Sequence, residues 1–319
     1  MPIVSAASER AIALEAPAKL NLSLAVLARR PDGYHDIESL MAGVTLADSL
    51  VVRAADRPGI RLSLRYGGAL AGTPLARDVP AGPANLVVRA AEALAVAAGV
   101  DGGLEIELVK RVPAGAGLGG GSSDAAAVLR GAAAAWGIDW PAERLAEVGA
   151  TIGSDVPFFF GGGPAIARGR GERLEPVAGI PPLPAVIACP AAGLSTAAVY
   201  AACTPDAARR GDAGRLAAAL ARGGLRGALP FLHNALEEPA RRLSPDVDRL
   251  LAALAAAGAT CPRLTGSGSA CFALARTATE ARGIAARLAA ARGPDGGRLW
   301  PGVFTVRLSP AAGGRGPAA

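Results

Sequence analysis

Between a strand-like segment at 104–111 and a helix-like one at 122–136, the chain reads Pro113-Ala-Gly-Ala-Gly-Leu-Gly-Gly-Gly-Ser-Ser-Asp124. Five glycines fall within the eleven residues Pro113 to Ser123, against 42 in the whole chain of 319. Glycine has no Cβ, so the backbone can take positive φ and a ligand can come close to its N–H groups. A glycine loop that opens a helix also aims those groups along the helix dipole, where an anion is favoured. Strand, glycine loop and helix in that order predict a phosphate-binding turn closed by Ser122 and Ser123. A mobile surface loop is the plainer alternative, and the surroundings decide between them.

Three phosphate loops have to be told apart. A Walker A loop ends in Gly-Lys-Ser/Thr, and no lysine follows Gly121. Gly115-Ala-Gly-Leu-Gly-Gly120 matches the G-x-G-x-x-G of a dinucleotide fold, but no βαβ pattern is apparent on either side. The acid that should end a strand about twenty residues on is missing too, since Asp139 is followed by Trp140-Pro141. A protein-kinase glycine loop needs strand-turn-strand, whereas Ser122-Ser-Asp-Ala-Ala here starts a helix.

The length predicts two domains. With 51% hydrophobic and 19% charged residues, the chain has material for real cores and too little charge for disorder. Met1–Arg10 lacks the apolar stretch of a signal peptide, and no run of eighteen apolar residues suggests a membrane span. Cys189, Cys203, Cys261 and Cys271 lack metal-type spacing, read as small buried hydrophobes, and suit a reduced cytoplasm. The net charge of +6 is spread out and aromatics are only 4%, which argues against nucleic acid and leaves an anionic small substrate. Of 33 Lys+Arg only Lys19 and Lys110 are lysine, leaving 31 arginines. Both lysines adjoin motif-like segments, as positions needing a compact point charge would.

Strands are expected at 11–16 and 20–27 around Pro17-Ala-Lys19, then at 37–46, 49–53 and 60–66 as an antiparallel sheet. Residues 67–83 read as loop. Asn85 is a helix N-cap candidate and Gly99 the matching C-cap. A short helix at 141–150, started by Pro141, leads to Ile152-Gly-Ser-Asp-Val-Pro-Phe-Phe-Phe160. Strands follow at 164–176 and 184–189 with a proline-rich connection between them, then mostly helix from 195 to 258. Leu264-Thr-Gly-Ser-Gly-Ser-Ala270, a second glycine cluster, enters a strand at 271–275. A helix at 278–292 and a strand at 303–308 close the fold. The tail 311–319 reads as disordered.

Pro113-x-x-x-Gly-Leu-Gly-Gly-Gly-Ser-Ser123 resembles the ATP loop of the superfamily named for galactokinase, homoserine kinase, mevalonate kinase and phosphomevalonate kinase. Ala16-Pro-Ala-Lys-Leu-Asn-Leu22 resembles its first motif and Leu264-Thr-Gly-Ser-Gly268 its C-terminal glycine motif, in family order over nearly the whole chain. Within the superfamily, Arg29-Arg-Pro-Asp-Gly-Tyr-His-Asp36 and Ile152-Gly-Ser-Asp-Val-Pro-Phe158 resemble members whose acceptor is a cytidine diphosphate-linked methylerythritol of the non-mevalonate isoprenoid route. The resemblance implies an α+β, two-domain kinase fold. An N-terminal domain of ribosomal-protein-S5-like type, at 1–165, would carry the ATP loop. A C-terminal ferredoxin-like α/β domain, at 166–310, would complete the cleft.

Phosphoryl transfer needs positioning, charge stabilisation and a base near the attacking hydroxyl. Asp155 suits the base: it lies beside a proline and an apolar Phe158-Phe-Phe160 wall, where a carboxylate is costly unless a cation stands near. The resemblance supplies that cation as Lys19. It also implies that Pro113, Gly115, Gly117, Leu118, Gly119, Gly120, Gly121, Ser122 and Ser123 hold ATP. Asn85 and Lys110 would meet its nucleoside end, with an N-cap and a strand-end surface lysine as the plainer readings. Asn21 would contact the methylerythritol. Tyr34, His35 and Tyr200 would enclose cytosine, with Thr196 on the helix face of Tyr200. Gly266, Ser267 and Gly268 would finish the cleft. His233-Asn234 resembles a segment near it, with no role attached. ATP chemistry implies Mg²⁺, yet no carboxylate pair has convincing metal spacing, and Asp124 serves equally as a dipole-complementing first-turn residue. The expected partners are ATP and a small substrate, with no nucleic acid or membrane, in a cytoplasmic monomer or homodimer. The alternatives are another small-molecule kinase of the superfamily or a catalytically silent nucleotide-binding sensor.

Overall fold

The computed structural model describes residues 11–76, 79–293 and 296–309. The expected disorder of 311–319 and the reading of Met1–Arg10 fall outside them. Strand β1 (Ile12–Arg29) pairs antiparallel with β2 (His35–Ala55) through the turn around Gly33, whose φ is +85°. Each is one long strand where two short ones were expected. Pro17 does not end β1, because the register shifts between Pro17 and Lys19, and again between Asn21 and Ser23. Such bulges absorb a residue without a donor and re-aim the side chains between them. Here those side chains are Lys19 and Asn21.

β3 (Ile60–Tyr66) does not continue an antiparallel meander. Helix α1 (Leu86–Ala98) carries the chain across to β4 (Gly103–Lys110), which pairs parallel with β3. A β-α-β unit therefore does precede the glycine loop, hidden in the sequence by the long connection at 67–83. It is not continued after the loop: β4 pairs antiparallel with β2 on its other side. Asn85 caps α1 by accepting from Val87 N, and Gly99 ends it in the left-handed region at φ +66°.

α2 (Gly120–Ala135) and α3 (Ala142–Ile152) pack with α1 over one face of this sheet. Alanines line the inner face of α2, and Gly131 sits where a Cβ would come within 2.7 Å of Leu14 and 2.8 Å of Val52. β5 (Ala165–Gly169) pairs with β2, and β6 (Arg173–Pro176) with β5. The chain then passes to a second, four-stranded sheet through β7 (Pro184–Cys189). The first sheet thus holds the chain through Pro176.

Short helices α4 (Thr196–Ala201), α5 (Asp212–Ala221) and α6 (Leu225–Ala228) follow. β8 (His233–Asn234) then returns to the first sheet, parallel to Ser23–Leu24 of β1. After α7 (Glu237–Leu243) and α8 (Pro245–Ala256), the second sheet is completed by β9 (Arg263–Leu264), β10 (Cys271–Leu274) and, after α9 (Ala278–Ala290), β11 (Gly302–Arg307). Its order is β11-β7-β10-β9, antiparallel throughout. Leu20, Leu22 and Leu40 of the first sheet share one core with Ile187 and Phe272 of the second. Cys189 and Cys271 are buried as expected, whereas Cys203 and Cys261 are partly exposed, and no disulfide joins the four. Among the described residues no helix is long and apolar enough to cross a membrane.

Candidate active site

The glycine loop leaves β4 and enters α2 at Gly120, two residues earlier than expected, with Gly119 as the N-cap. Gly115, Gly117 and Gly119 have φ of +64°, +80° and +70°. At Gly117 and Gly119 a side chain would be excluded by contact as well as by conformation. A Cβ on Gly117 would lie 2.3 Å from the Thr265 carbonyl oxygen, and one on Gly119 would lie 2.9 Å from Lys19 Cγ. Lys19 N donates to Leu118 O at 2.9 Å, and Ala270 N to Ala116 O at 3.1 Å. The loop is thus pinned by β1 on one side and by the second glycine turn on the other. Pro113 and Leu118 are buried inward.

Beneath the loop opens a cleft of about 960 Å³. It gathers Lys19, Asn21, Tyr34, His35, Gly117, Gly119, Ser122, Asp155, Thr196, Tyr200, Gly266 and Ser267, residues spread over most of the chain. The Lys19 ammonium donates to Asn21 Oδ1 at 2.6 Å and lies 3.5 Å from Asp155 Oδ2. Asn21 is held from three directions. Its Nδ2 donates to Ser39 Oγ at 2.7 Å, Ser39 donates onward to Ser23 O, and the Asn21 backbone N–H donates to Thr265 Oγ1 at 3.0 Å. Lys19 is 4% and Asn21 3% exposed, whereas the Asp155 side chain keeps 35%. A carboxylate open to the cleft beside a fixed ammonium can accept a proton from a bound hydroxyl while the cation holds the developing charge.

At the far end, the His35 and Tyr200 rings lie 5.2 Å apart and tilted by 32°. Burial and the nearby Arg29 charge push the His35 imidazole below its ordinary value, so it is neutral at pH 7 and offers one donor and one acceptor. Burial, with the Asp155 charge adding to it, pushes the Tyr200 phenol up, so it stays a neutral hydroxyl. Tyr34 is 56% exposed, with the Arg170 guanidinium 4.6 Å from its ring centroid. Thr196 Oγ1 lies 2.8 Å from Ser267 Oγ, joining α4 to the second glycine turn.

The structure brings other expected residues elsewhere. Lys110 is no strand-end surface lysine and does not face the cleft. It is 2% exposed, its ammonium bonded to Asp48 and, at 2.6 Å, to Asp124 Oδ2. Asp48 also accepts from the Arg111 and Val112 backbone N–H groups where β4 turns into the loop. Burial raises the Asp124 carboxyl to about 8 against the opposing pull of Lys110, while Lys110 itself ends above its ordinary value because Asp124 and Asp48 outweigh burial. Asp124 is therefore part of an internal network rather than a dipole-complementing surface acid. Asn85 is occupied as a cap, also donating to Pro80 O at 2.6 Å. Gly115 is exposed on the loop and Gly121 in the first turn of α2, Gly120 packs on Val112, and Gly268 packs against Leu264.

Arg29, Thr265 and Asn234 lie in segments singled out in the sequence but carried no role of their own there, and Arg170 and Ser39 went unselected. Of these two only Arg170 carried a local signal, being flanked by Gly169 and Gly171, both at positive φ. For a Mg²⁺ ion, the described residues contain no group of three or more His, Cys, Asp or Glu side chains placed to hold it. A nucleotide-borne Mg²⁺ needs fewer protein ligands, one or two oxygens beside phosphate and water. Ser123 Oγ and Asp124 Oδ1, both buried at the start of α2 without hydrogen-bond partners, are oxygens of that kind.

Residues 85–163 match the family described as GHMP kinases N terminal domain, and residues 205–295 that described as GHMP kinases C terminal. A 4-diphosphocytidyl-2-C-methyl-D-erythritol kinase from Pelotomaculum thermopropionicum is 42% identical over 273 residues, 85% of this chain and 92% of that one. The same kinase from Rhodopirellula baltica is 42% identical over 315 residues, 91% of this chain and 94% of the relative. A crystal structure of 4-(cytidine 5'-diphospho)-2C-methyl-D-erythritol kinase superposes with a TM-score of 0.72 at 39% identity, covering 93% of this chain and 99% of that one. The cleft described above therefore sits in a chain that belongs to the 4-diphosphocytidyl-2-C-methyl-D-erythritol kinase family.

Proposed function

We propose that the protein transfers the γ-phosphoryl group of ATP to the 2-hydroxyl of 4-diphosphocytidyl-2-C-methyl-D-erythritol. One observation carries the reading: the Lys19–Asp155 pair, 3.5 Å apart, shares a single cleft with the His35–Tyr200 ring pair. The first is chemistry for activating a hydroxyl, and the second is a surface for a flat polar base.

In this reading the glycine loop, Ser122 and the start of α2 take the ATP phosphates through backbone N–H groups. The cytosine lies against Tyr200, with neutral His35 meeting its polar edge and Tyr34 lining the pocket. Asn21 orients the methylerythritol, and Thr196 with the 266–268 turn closes the cleft. The acceptor oxygen bonds to the γ-phosphorus as the bond to the β–γ bridging oxygen breaks and ADP leaves. Asp155 receives the hydroxyl proton, while Lys19 orients the nucleophile and offsets the charge that develops on it. Lys110 and Asp48 support the nucleotide site by holding the loop entry. Mg²⁺ bound with the nucleotide would neutralise phosphate charge, and Ser123 and Asp124 are the residues that would hold it.

The test is ADP release by purified protein with the cytidylylated acceptor, mevalonate and homoserine in parallel. Release with the first alone is expected. Release with mevalonate or homoserine instead would reassign the acceptor, and no release with any of them would leave a nucleotide-binding sensor.

A further inference from the structure

The second glycine turn, 264–268, meets the nucleotide loop through backbone, with a Cβ on Gly266 reaching 3.0 Å from Gly117 O. It also lines the cleft through Gly266 and Ser267. Thr265 Oγ1 takes the Asn21 N–H and Ser267 Oγ meets Thr196, but the turn's backbone carbonyls have to be fixed from outside. Asn234 does this with its whole amide. Its Nδ2 donates to Leu264 O at 2.9 Å and to Gly266 O at 2.8 Å, and its Oδ1 accepts from Leu236 N at 2.9 Å. The side chain is 5% exposed, so these bonds form away from water, where a lost partner costs most.

The origin of Asn234 matters as much as its bonds. It lies on β8, which pairs with Leu24 of β1, and Ala235 N donates to Leu24 O at 2.8 Å. β1 is also the strand that carries Lys19 and Asn21. Leu264, in contrast, belongs to β9 of the second sheet. One amide therefore references the turn of the second sheet to the strand that bears the candidate catalytic lysine. Glu237 adds a bond from the same side, accepting from Leu264 N at 2.8 Å.

We infer that Asn234 is a positioning residue for phosphoryl transfer, setting the 264–268 turn against the nucleotide loop and the acceptor. The inference rests on the reading of this cleft as the transfer site. Asn234→Asp keeps the shape and the acceptor for Leu236 N but turns two donated hydrogen bonds into oxygen–oxygen contacts. Asn234→Ala removes the donors without that repulsion and serves where the aspartate variant does not fold. Hydrogen exchange of the 265–268 amides should quicken in either variant, and kcat/KM for the cytidylylated acceptor should fall by about tenfold or more, the scale of a buried hydrogen bond left unmade. Gly266→Ala disturbs the same turn from within, so its combination with Asn234→Ala should cost less than the two single effects together. Unchanged exchange at 265–268, unchanged acceptor kcat/KM, or fully additive losses would each overturn the inference. If wild-type protein ignores this acceptor, the functional reading alone fails, and the exchange measurement still decides whether Asn234 sets the turn.

Discussion

The chain's two lysines are both buried beside aspartate, and the difference between their sites separates chemistry from support. Lys19 has one carboxylate at 3.5 Å, itself 35% exposed, and an amide oxygen at 2.6 Å. Lys110 has two carboxylates in direct contact, neither of them more than 3% exposed. At Lys19 the pair is loose and open on one side, so a ligand can enter and share the charge. At Lys110 both partners are themselves buried, and the group works by tying Asp48 on β2 to Asp124 on α2 beneath the loop. A buried charge becomes functional only where its partners leave it something to do.

The contrast can be broken most forcefully at Asp155. Asp155→Asn is expected to lower kcat by about 10²–10⁴-fold, the usual worth of a positioned base. Nucleotide affinity and melting temperature should be unchanged, and a variant with near-normal turnover would end the assignment. Lys110→Met should do the reverse. It leaves Asp48 and Asp124 buried without their cation and should cost about 3–5 kcal/mol in urea denaturation, the price of breaking a buried pair. Turnover of the fraction that remains folded should survive. If Lys110→Met abolished turnover in a fully stable protein, the division between the two lysines would be wrong.

His35→Phe retains a ring for Tyr200 but loses the polar edge, so KM for the cytidylylated acceptor should rise about tenfold with kcat little changed, as for one neutral hydrogen bond. Because the His35 pKa is held below 6.5, acceptor KM should be flat above that pH and rise only in more acidic solution. The smallest effect concerns Asp124, whose folded pKa of about 8 stands above its unfolded value of 3.8. Between those values the folded state binds the extra proton, so this group makes stability fall as pH rises toward 8. Asp124→Asn should flatten that slope in denaturation curves taken across the range.

Lys19, Asp155, Tyr34 and His35 could be read in the sequence because each sits in a short motif that states its own environment. Lys110 could be noticed but not placed. Its partners, Asp48 and Asp124, are 62 and 14 residues away, and only the meeting of β4, β2 and α2 makes them neighbours. Thr265 and Asn234 lie in segments the sequence singles out, yet their roles could not be read for the same reason: Thr265 receives its bond from Asn21 across 244 residues. The strand readings failed where a bulge lets Pro17 stay inside β1. The β-α-β unit was missed because parallel pairing leaves no mark on β3, whose alternation suits either direction. Local chemistry is written locally, whereas support is written in the topology.

At Gly117 and Gly266 two loops meet backbone to backbone. One turn belongs to the proposed ATP half of the cleft and the other to the acceptor half, with no side chain between them to absorb a displacement. Occupancy of one half is then felt in the other as free energy, and that coupling is reciprocal. The factor by which the acceptor changes nucleotide affinity must equal the factor by which nucleotide changes acceptor affinity. Binding measured in both orders with a non-hydrolysable ATP analogue gives that number, and widening the contact with Gly266→Ala should change both factors together.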